Sequence, residues 1–386
     1  MGWNWPWSAR GMTPLVHKSG SLGFVALHAQ GEPSWTHGDC AALSREGYMR
    51  NPVVHRALRM TAEAAGAVPW LLYEGAVELT DHPLLDLLQR PNQRTSGTSF
   101  MEALYGYLLM SGNAYVELVA AGDARELHLL RPDRTTVVLD ASGWPVALEH
   151  AEGRSRRHIP LGEGEPSKAL HLKLFHPLDD HYGFPPLRAA LMALDIHNAA
   201  GRWNKALLDN SARPSGALVY APKEGGNLTD DQYERLKSEL EEGYSGAARA
   251  GRPMLLEGGL DWKAMGLTPK DMDFIEAKNA ASRDIVLAFG VPPMILGIPG
   301  DNTYSNYQEA NRAFYRMTVL PLVGRTAAEL SAFLAPVFGS GLRLVFDADQ
   351  IDGLAAEREA LWARLGAADF LTDDEKREAA GYAPRG

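Results

Sequence analysis

Four side chains able to hold a metal fall within six residues at His176-Pro-Leu-Asp179-Asp180-His181. Imidazole and carboxylate together suit zinc or manganese, and a metal-bound water would make such a cluster a hydrolase. The run follows a strand candidate and precedes Gly183-Phe-Pro-Pro186, so a solvated turn accounts for it and is favoured. Asp347-Ala-Asp349-Gln-Ile-Asp352 has the acidic spacing of a calcium loop but lacks the internal glycine and closing glutamate. A capped strand-to-helix turn is the better reading.

Other reactive constellations fall short of their templates. No Gly-x-x-x-x-Gly-Lys-Ser/Thr run could cradle a nucleotide, and there is no His-Glu-x-x-His zinc helix. Gly97-Thr-Ser-Phe departs from a nucleophile elbow and sits where a helix cap is expected. Cys40 is the only cysteine, which rules out an intrachain disulfide, and His37 is weak support for a nucleophilic role. Arg154-Ser-Arg156-Arg157-His158 is the most basic run; a hairpin tip is favoured over a phosphate contact. Glu234, Glu239, Glu241 and Glu242 surround Leu240, which reads as a solvated helix face, a repeller of DNA or a site for a basic partner. No constellation supports catalysis or a resident metal or cofactor.

The elements that carry these residues are legible from period and punctuation. Asn51 and Pro52 open a helix with Val54, Leu58 and Ala62 on one stripe, closed by Gly66 and Pro69. A strand at 70–73 with a turn at Glu74-Gly75, and a helix over 83–88, come next. A further helix over 100–111 is capped by Thr98 or Ser99. Short segments at 113–119, 126–130, 135–139, 146–150 and 169–175 read as strands of a mostly antiparallel sheet carrying helices, an α+β region.

Pro185-Pro186 begins a long helix to about residue 210, with Leu187, Leu191, Leu194, Asn198 and Trp203 on one side. Next comes an inserted module: strand 217–220, helix 230–244 with the capping box Thr229/Gln232, and strands near 253–256 and 262–264. A second long helix runs from Thr268-Pro269 to Gly290, so the module sits at the tip of an antiparallel stalk. A third helix covers about 307–334 and is interrupted or bent near Pro321. A strand at 342–346 and a helical hairpin, 353–366 with 373–380, complete the chain. Residues 1–45 read as a poorly ordered arm in which Trp3, Trp5 and Trp7 alternate.

The chain has 386 residues, 22% charged and 45% hydrophobic, enough for two or three cooperating regions. No apolar run is long enough to span a bilayer and no secretory signal opens the chain, so a cytoplasmic origin without membrane contact is expected. The net charge of −10 argues against tight binding of nucleic acid over a broad basic face. It is compatible with a wall past which DNA slides. Arginine supplies 28 of the 38 basic residues, which suggests a GC-rich bacterial host.

An ordered set of motifs resembles the portal family of long-tailed phages and related gene transfer agents. It runs through 51–73, His82-Pro-Leu-Leu, Arg90-Pro-Asn92 and Leu108-Leu-Met-Ser-Gly-Asn-Ala-Tyr115. It continues through Gly183-Phe-Pro-Pro-Leu187, Arg213-Pro-Ser-Gly216, Ala288-Phe-Gly-Val-Pro-Pro-Met294, Thr303-Tyr-Ser-Asn306 and Phe314-Tyr-Arg-Met-Thr-Val-Leu-Pro321. The resemblance implies a ring, usually of twelve identical subunits, that threads double-stranded DNA at one capsid vertex. The large terminase ATPase, a head-tail adaptor and the major capsid protein would be its partners, and the ring itself would be no enzyme.

It further implies an arm (1–45), a wing (46–185), a helix leading into the stem (186–214), a clip (215–268) and a second stem helix (269–290). A tunnel loop (291–306), a wing helix with a return strand (307–350) and a short crown (351–386) complete the division. The DNA-facing tip would be Asp301, Asn302, Thr303, Tyr304, Ser305 and Asn306. Stem positions would be Lys270, Asp273, Glu276 and Lys278, and clip positions for partner docking Glu234, Lys237, Glu241 and Glu242. In the tunnel-loop segment, Val291-Pro292-Pro293 stops the stem helix, and Gly297 and Gly300 would free a mobile loop. Its neutral polar tip could touch phosphates without the grip of a lysine row. An interhelical loop capped by Thr303 or Ser305 is the plainer alternative.

Overall fold

The computed structural model describes residues 35–122, 124–162, 167–209, 216–220, 229, 231–232, 234–235, 238, 260–264, 274–299 and 304–382. Its chain divides into two units, one of residues 35–198 with 276–386 and one of residues 1–34 with 199–275.

The larger unit grows from two helices packed on each other, the first and third below. α1 (Pro52–Gly66) starts where Asn51 Oδ1 accepts from the amides of Val53 (3.0 Å) and Val54 (3.1 Å), with proline in the first turn. Asn51 then spends its amide on tertiary contacts, donating to His197 Nδ1 and Asn198 Oδ1 at 2.9 Å each. A short helix α2 (Pro83–Gln89) precedes α3 (Gly97–Ser111), whose cap is Ser96 and not Thr98 or Ser99. Gly66 is the last residue of α1 for a packing reason: a Cβ there would lie 2.9 Å from the Glu102 nitrogen of α3.

Among the described residues every strand pair is antiparallel. β1 (Trp70–Glu74) pairs with β2 (Val77–Leu79) across the Gly75 turn and with β11 (Leu342–Phe346) from the far end of the chain. β3 (Asn113–Ala121) lies between β4 (Ala124–Leu130) and β8 (Ala169–Lys173). β5 (Thr135–Leu139), β6 (Pro145–Glu152) and β7 (Ser155–Pro160) form a third sheet. The sequence reading missed β2 and β7, because a three-residue strand and an Arg-rich strand both lack the apolar alternation that marks strands.

β7 sharpens the reading of the basic run: Arg154 lies in the β6–β7 hairpin turn, as expected, whereas Arg156, Arg157 and His158 lie along the strand that leaves it. Each faces acid. Arg157 forks onto the buried Glu117 of β3, with Nη2 to Oε2 at 2.8 Å, and Arg156 pairs with Glu149 at 2.6 Å. His158 Nε2 lies 3.3 Å from the other oxygen of Glu149.

One apolar core joins α1, α2, α3 and the β1 sheet to helices from the second half. Leu58, Leu72, Phe100 and Leu104 pack in a cluster with Ile285, Val323, Leu330 and Leu344. A satellite core of Tyr115, Leu130, Leu148 and Ile159 lies around the β5–β7 sheet. Residues 35–45, read as part of an unordered arm, are folded: Asp39 caps a helical turn over Cys40–Ala42, a π-helical stretch continues over Leu43–Tyr48, and Leu43 is fully buried.

The long helix expected from Pro186 is broken. Pro186–Ala189 forms one short helix and α4 (Leu191–Asp209) begins anew. α5 (Phe274–Ala288) is the second long helix. The third is composite: α6 (Tyr304–Phe314), a π-helical stretch over Tyr315–Val319, then α7 (Leu320–Phe338) with Pro321 in its first turn. The interruption or bend anticipated near Pro321 is thus a π segment just before it, whose widened turn accommodates a proline that brings no N–H. The C-terminal hairpin is α8 (Ala355–Gly366) and α9 (Asp373–Ala379), the latter with a full capping box between Thr372 and Glu375.

In the smaller unit, β9 (Gly216–Tyr220) and β10 (Leu260–Ala264) pair antiparallel. The expected capping box is present: the Thr229 amide donates to Gln232 Oε1 at 3.0 Å, and the Gln232 amide to Thr229 Oγ1 at 3.4 Å. Strand 253–256 and most of helix 230–244 lie outside the described residues. Among the described residues no helix is long and apolar enough to cross a membrane.

Candidate functional site

The segment between α5 and α7 is built as an elbow fixed at both ends. Gly290 turns left-handed at φ 67° after α5, and the Val291 amide reaches back to the Val286 carbonyl at 2.9 Å. Pro292 and Pro293 then impose a 3₁₀ turn over Pro293–Leu296. The turn is itself closed by Gly297 at φ 70°, and Ile298 is buried in the main core. Thr318 Oγ donates to the Gly290 carbonyl at 2.6 Å, tying the elbow to the π-helical stretch. A side chain on Gly290 would strike that same hydroxyl at 2.6 Å. Arg283 of α5 donates to the Pro299 carbonyl.

This geometry corrects the loop reading. Gly297 closes a turn instead of freeing a loop, since its positive φ supplies the one conformation that ends the 3₁₀ turn. Tyr304, Ser305 and Asn306 form the first turn of α6, and Asn306 is exposed. Asp301, Asn302 and Thr303 lie outside the described residues. A span of five residues, 299–303, therefore links a packed turn to a helix. Sequence reasoning missed Arg283 and Thr318, because their contacts cross 16 and 28 residues and leave no local signal.

The remaining expected positions are scattered. Glu276 is exposed and Lys278 half-buried on α5. Lys278 raises the local positive potential near His197, whose pKa is pushed down by burial first and by that charge second. Glu234 is helical and exposed. Lys270, Asp273, Lys237, Glu241 and Glu242 lie outside the described residues.

The His176–His181 run is a turn. His176 Nδ1 accepts the Leu178 amide at 3.1 Å, and Asp179 Oδ1 accepts the amides of His181 (2.8 Å) and Tyr182 (2.9 Å). Burial tends to raise the Asp179 pKa, but those two amides outweigh it and hold the carboxyl below its usual range. Among the described residues no three His, Cys, Asp or Glu side chains converge as a metal site, so the hydrolase alternative has no support in the geometry. Asp347 likewise closes its own turn, accepting the Asp349 amide at 2.9 Å and the Gln350 side chain at 2.6 Å. The Cys40 thiol is held up by burial, opposite to the shift that activates a nucleophile.

Comparison with known proteins covers nearly the whole chain. The sequence model of the family described as "Phage portal protein" matches residues 52–381. An uncharacterised protein of Rickettsia bellii is 41% identical over 339 residues, 87% of this chain and 88% of that one. The portal protein of Enterobacteria phage HK97 is 25% identical over 394 residues, 98% of this chain and 88% of its own. Among solved structures, the neck of an empty gene transfer agent particle computed with C6 symmetry contains a chain 52% identical, with a TM-score of 0.73, covering 92% of this chain and 96% of that one. The neck of the native particle computed with C12 symmetry gives 51% identity and a TM-score of 0.70, covering 92% and 97%.

Proposed function

The chain belongs to the phage portal protein family, and on that premise we propose how its parts divide the work of a DNA conduit. The protein is a portal ring subunit of α+β portal fold, placed at a capsid vertex in the neck of a virion. Residues 46–185 and 307–350 form the wing in this reading. Residues 186–214 and 269–290 serve the stem, 215–268 the clip, and 351–386 a short crown. Chain order supports the assignment: a β9–β10 module is inserted between the long helices α4 and α5.

The elbow at 289–298 carries the reading of residues 299–306 as the channel loop. The segment follows a packed 3₁₀ turn over Pro293–Leu296 and leads into the first turn of α6 at Tyr304, so changes within it leave both flanking elements in place. Its neutral groups, Asn302 and Thr303 with the helical Ser305 and Asn306, suit brief contact with phosphates. The wall makes no bond and needs no catalyst, so the large terminase ATPase supplies the force, and a head-tail adaptor and the major capsid protein are the other partners. Identity of 52% to a gene transfer agent neck protein supports a particle of that kind.

Two measurements test this reading. Negative-stain images of the purified protein should show a ring with a central channel; a tube or a sheet would sink the portal assignment. Asn302→Lys combined with Thr303→Lys should leave rings intact while DNA per particle drops severalfold. Normal filling of particles carrying both lysines would remove the loop from the channel wall.

A further inference from the structure

The C-terminal hairpin exposes more apolar surface than a folded subunit needs. α8 and α9 bury none of their residues within the subunit. Phe370, between them, is 86% exposed and Trp362 is 45% exposed. Leu361 and Leu365 stand one turn apart on α8 and are only half-covered. Helices of 12 and 7 residues are too short to persist by their own hydrogen bonds. What tethers them is polar: Glu357 meets Arg312 and Arg316 at 3.3 Å each, and the Tyr382 hydroxyl donates to Asp349.

The Arg358 guanidinium lies 5.5 Å from the centre of the Trp362 ring. Its Nε and Nη1 are shut off from water, yet neither has a hydrogen-bond acceptor among the described residues. The subunit itself closes off those two donors, so what stands open here is the braced Trp362 ring and Phe370 beside it.

We propose that this face is covered by a second copy of the chain, the neighbouring subunit, which supplies apolar cover for Phe370 and Trp362. The inference rests on the ring reading above and goes beyond it by assigning the hairpin as a seam between subunits. Charge argues against DNA as the occupant: residues 351–382 carry eight acidic and four basic side chains. A ring, in contrast, presents an identical neighbour to every subunit through a heterologous contact. Exposed aromatics beside an arginine are the side chains that dominate such contacts.

A photo-crosslinking amino acid placed at position 370 of the full chain reads the contact directly. Irradiated rings should yield covalent dimers and higher ladders on a denaturing gel. Phe370→Asp should raise the protein concentration needed for half-assembly about tenfold or more, measured by mass photometry. It should leave the thermal midpoint of the dilute subunit unchanged, because the side chain is exposed there. Trp362→Ala, which removes the second exposed ring, gives a second reading with the same expected direction but a smaller shift. Normal ring formation by the Phe370→Asp variant, together with no crosslink from position 370, overturns the seam while leaving the portal reading intact. Failure of the unaltered chain to form rings at any concentration overturns both.

Discussion

Burial fixes the charge of His171. Its ring stacks on Tyr115 at 4.4 Å, and its Nε2–H donates to Asn113 Oδ1 at 3.0 Å, an oxygen that also accepts the Gly183 amide at 2.8 Å. Burial, helped by the Lys173 charge, lowers its pKa from 6.5 to about 4. The folded chain therefore binds fewer protons at this site than the unfolded chain between those values. Stability is full above about 6.5 and falls as pH drops toward 4, by about 3 kcal/mol at most from this group. Urea unfolding at pH 7 and pH 4.5 should show the loss, and His171→Gln should shrink the difference.

Two glycines meet beside this histidine. A Cβ on Gly183 would sit 2.0 Å from the Gly112 carbonyl oxygen, and Gly112 itself is left-handed at φ 77°. Gly183→Ala should therefore destabilise by about 3 kcal/mol or more, since the atom it strikes belongs to backbone. A denaturation midpoint within error of the unaltered protein would mean the two segments approach less closely than described. Neither effect is written locally. The motif Leu108-Leu-Met-Ser-Gly-Asn-Ala-Tyr115 reads as a helix end and a strand start, and it is both; its glycine also meets a loop about seventy residues away.

For the elements, the composite third helix is the informative case. Its apolar period is legible, and so is Pro321, but the π-helical stretch over Tyr315–Val319 is not. One extra residue in a turn leaves no composition signature, because it is stabilised by what it faces: Thr318 holding Gly290, and Tyr315 against Gly353. Deleting the exposed Met317 should convert the stretch to regular helix. Four α-helical residues turn through about the same angle as five π-helical ones, so α6 would keep its face relative to α7. Phe314 would stay buried while the Thr318–Gly290 tie made by the widened turn is lost, at a cost of about 1 kcal/mol or more in thermal unfolding followed by circular dichroism. Met317→Ala, which keeps the widened turn, should stay within about 0.5 kcal/mol. Equal behaviour of the two variants would show that the widened turn does not matter here.

Arg157 makes a comparable point about strands. Its residue type suggests a surface tip, whereas pairing with the buried Glu117 decides its place. Arg157→Ala should cost about 3 kcal/mol, because it strands a buried carboxylate. Arg157→Ala with Glu117→Gln should recover part of that loss. A single and a double variant of equal stability would mean the pair is not coupled.

The whole molecule carries a net charge of −10 and its most basic strand is neutralised by its own glutamates. Free DNA should consequently be held weakly by assembled rings, with no retained complex in a gel-shift assay at about 0.15 M salt. Tight, salt-sensitive binding would contradict a wall that lets DNA slide.

Sequence alone determined the α+β class, the caps at Asn51 and Thr229, the order of long helix, inserted module and long helix, and the family. All of these depend on period, punctuation and the order of motifs, which are local or cumulative properties of the chain. The elbow that fixes residues 289–298, the turn that occupies His176 and Asp179, the ion pair at Glu117 and the bare face around Phe370 were decided only by tertiary structure. The physical reason is that local pattern sets where an element starts and stops, not what its side chains meet. Contacts made in the folded chain, or left unmade, set the energy of a donor, a charge or an apolar ring whatever its neighbours in sequence suggest.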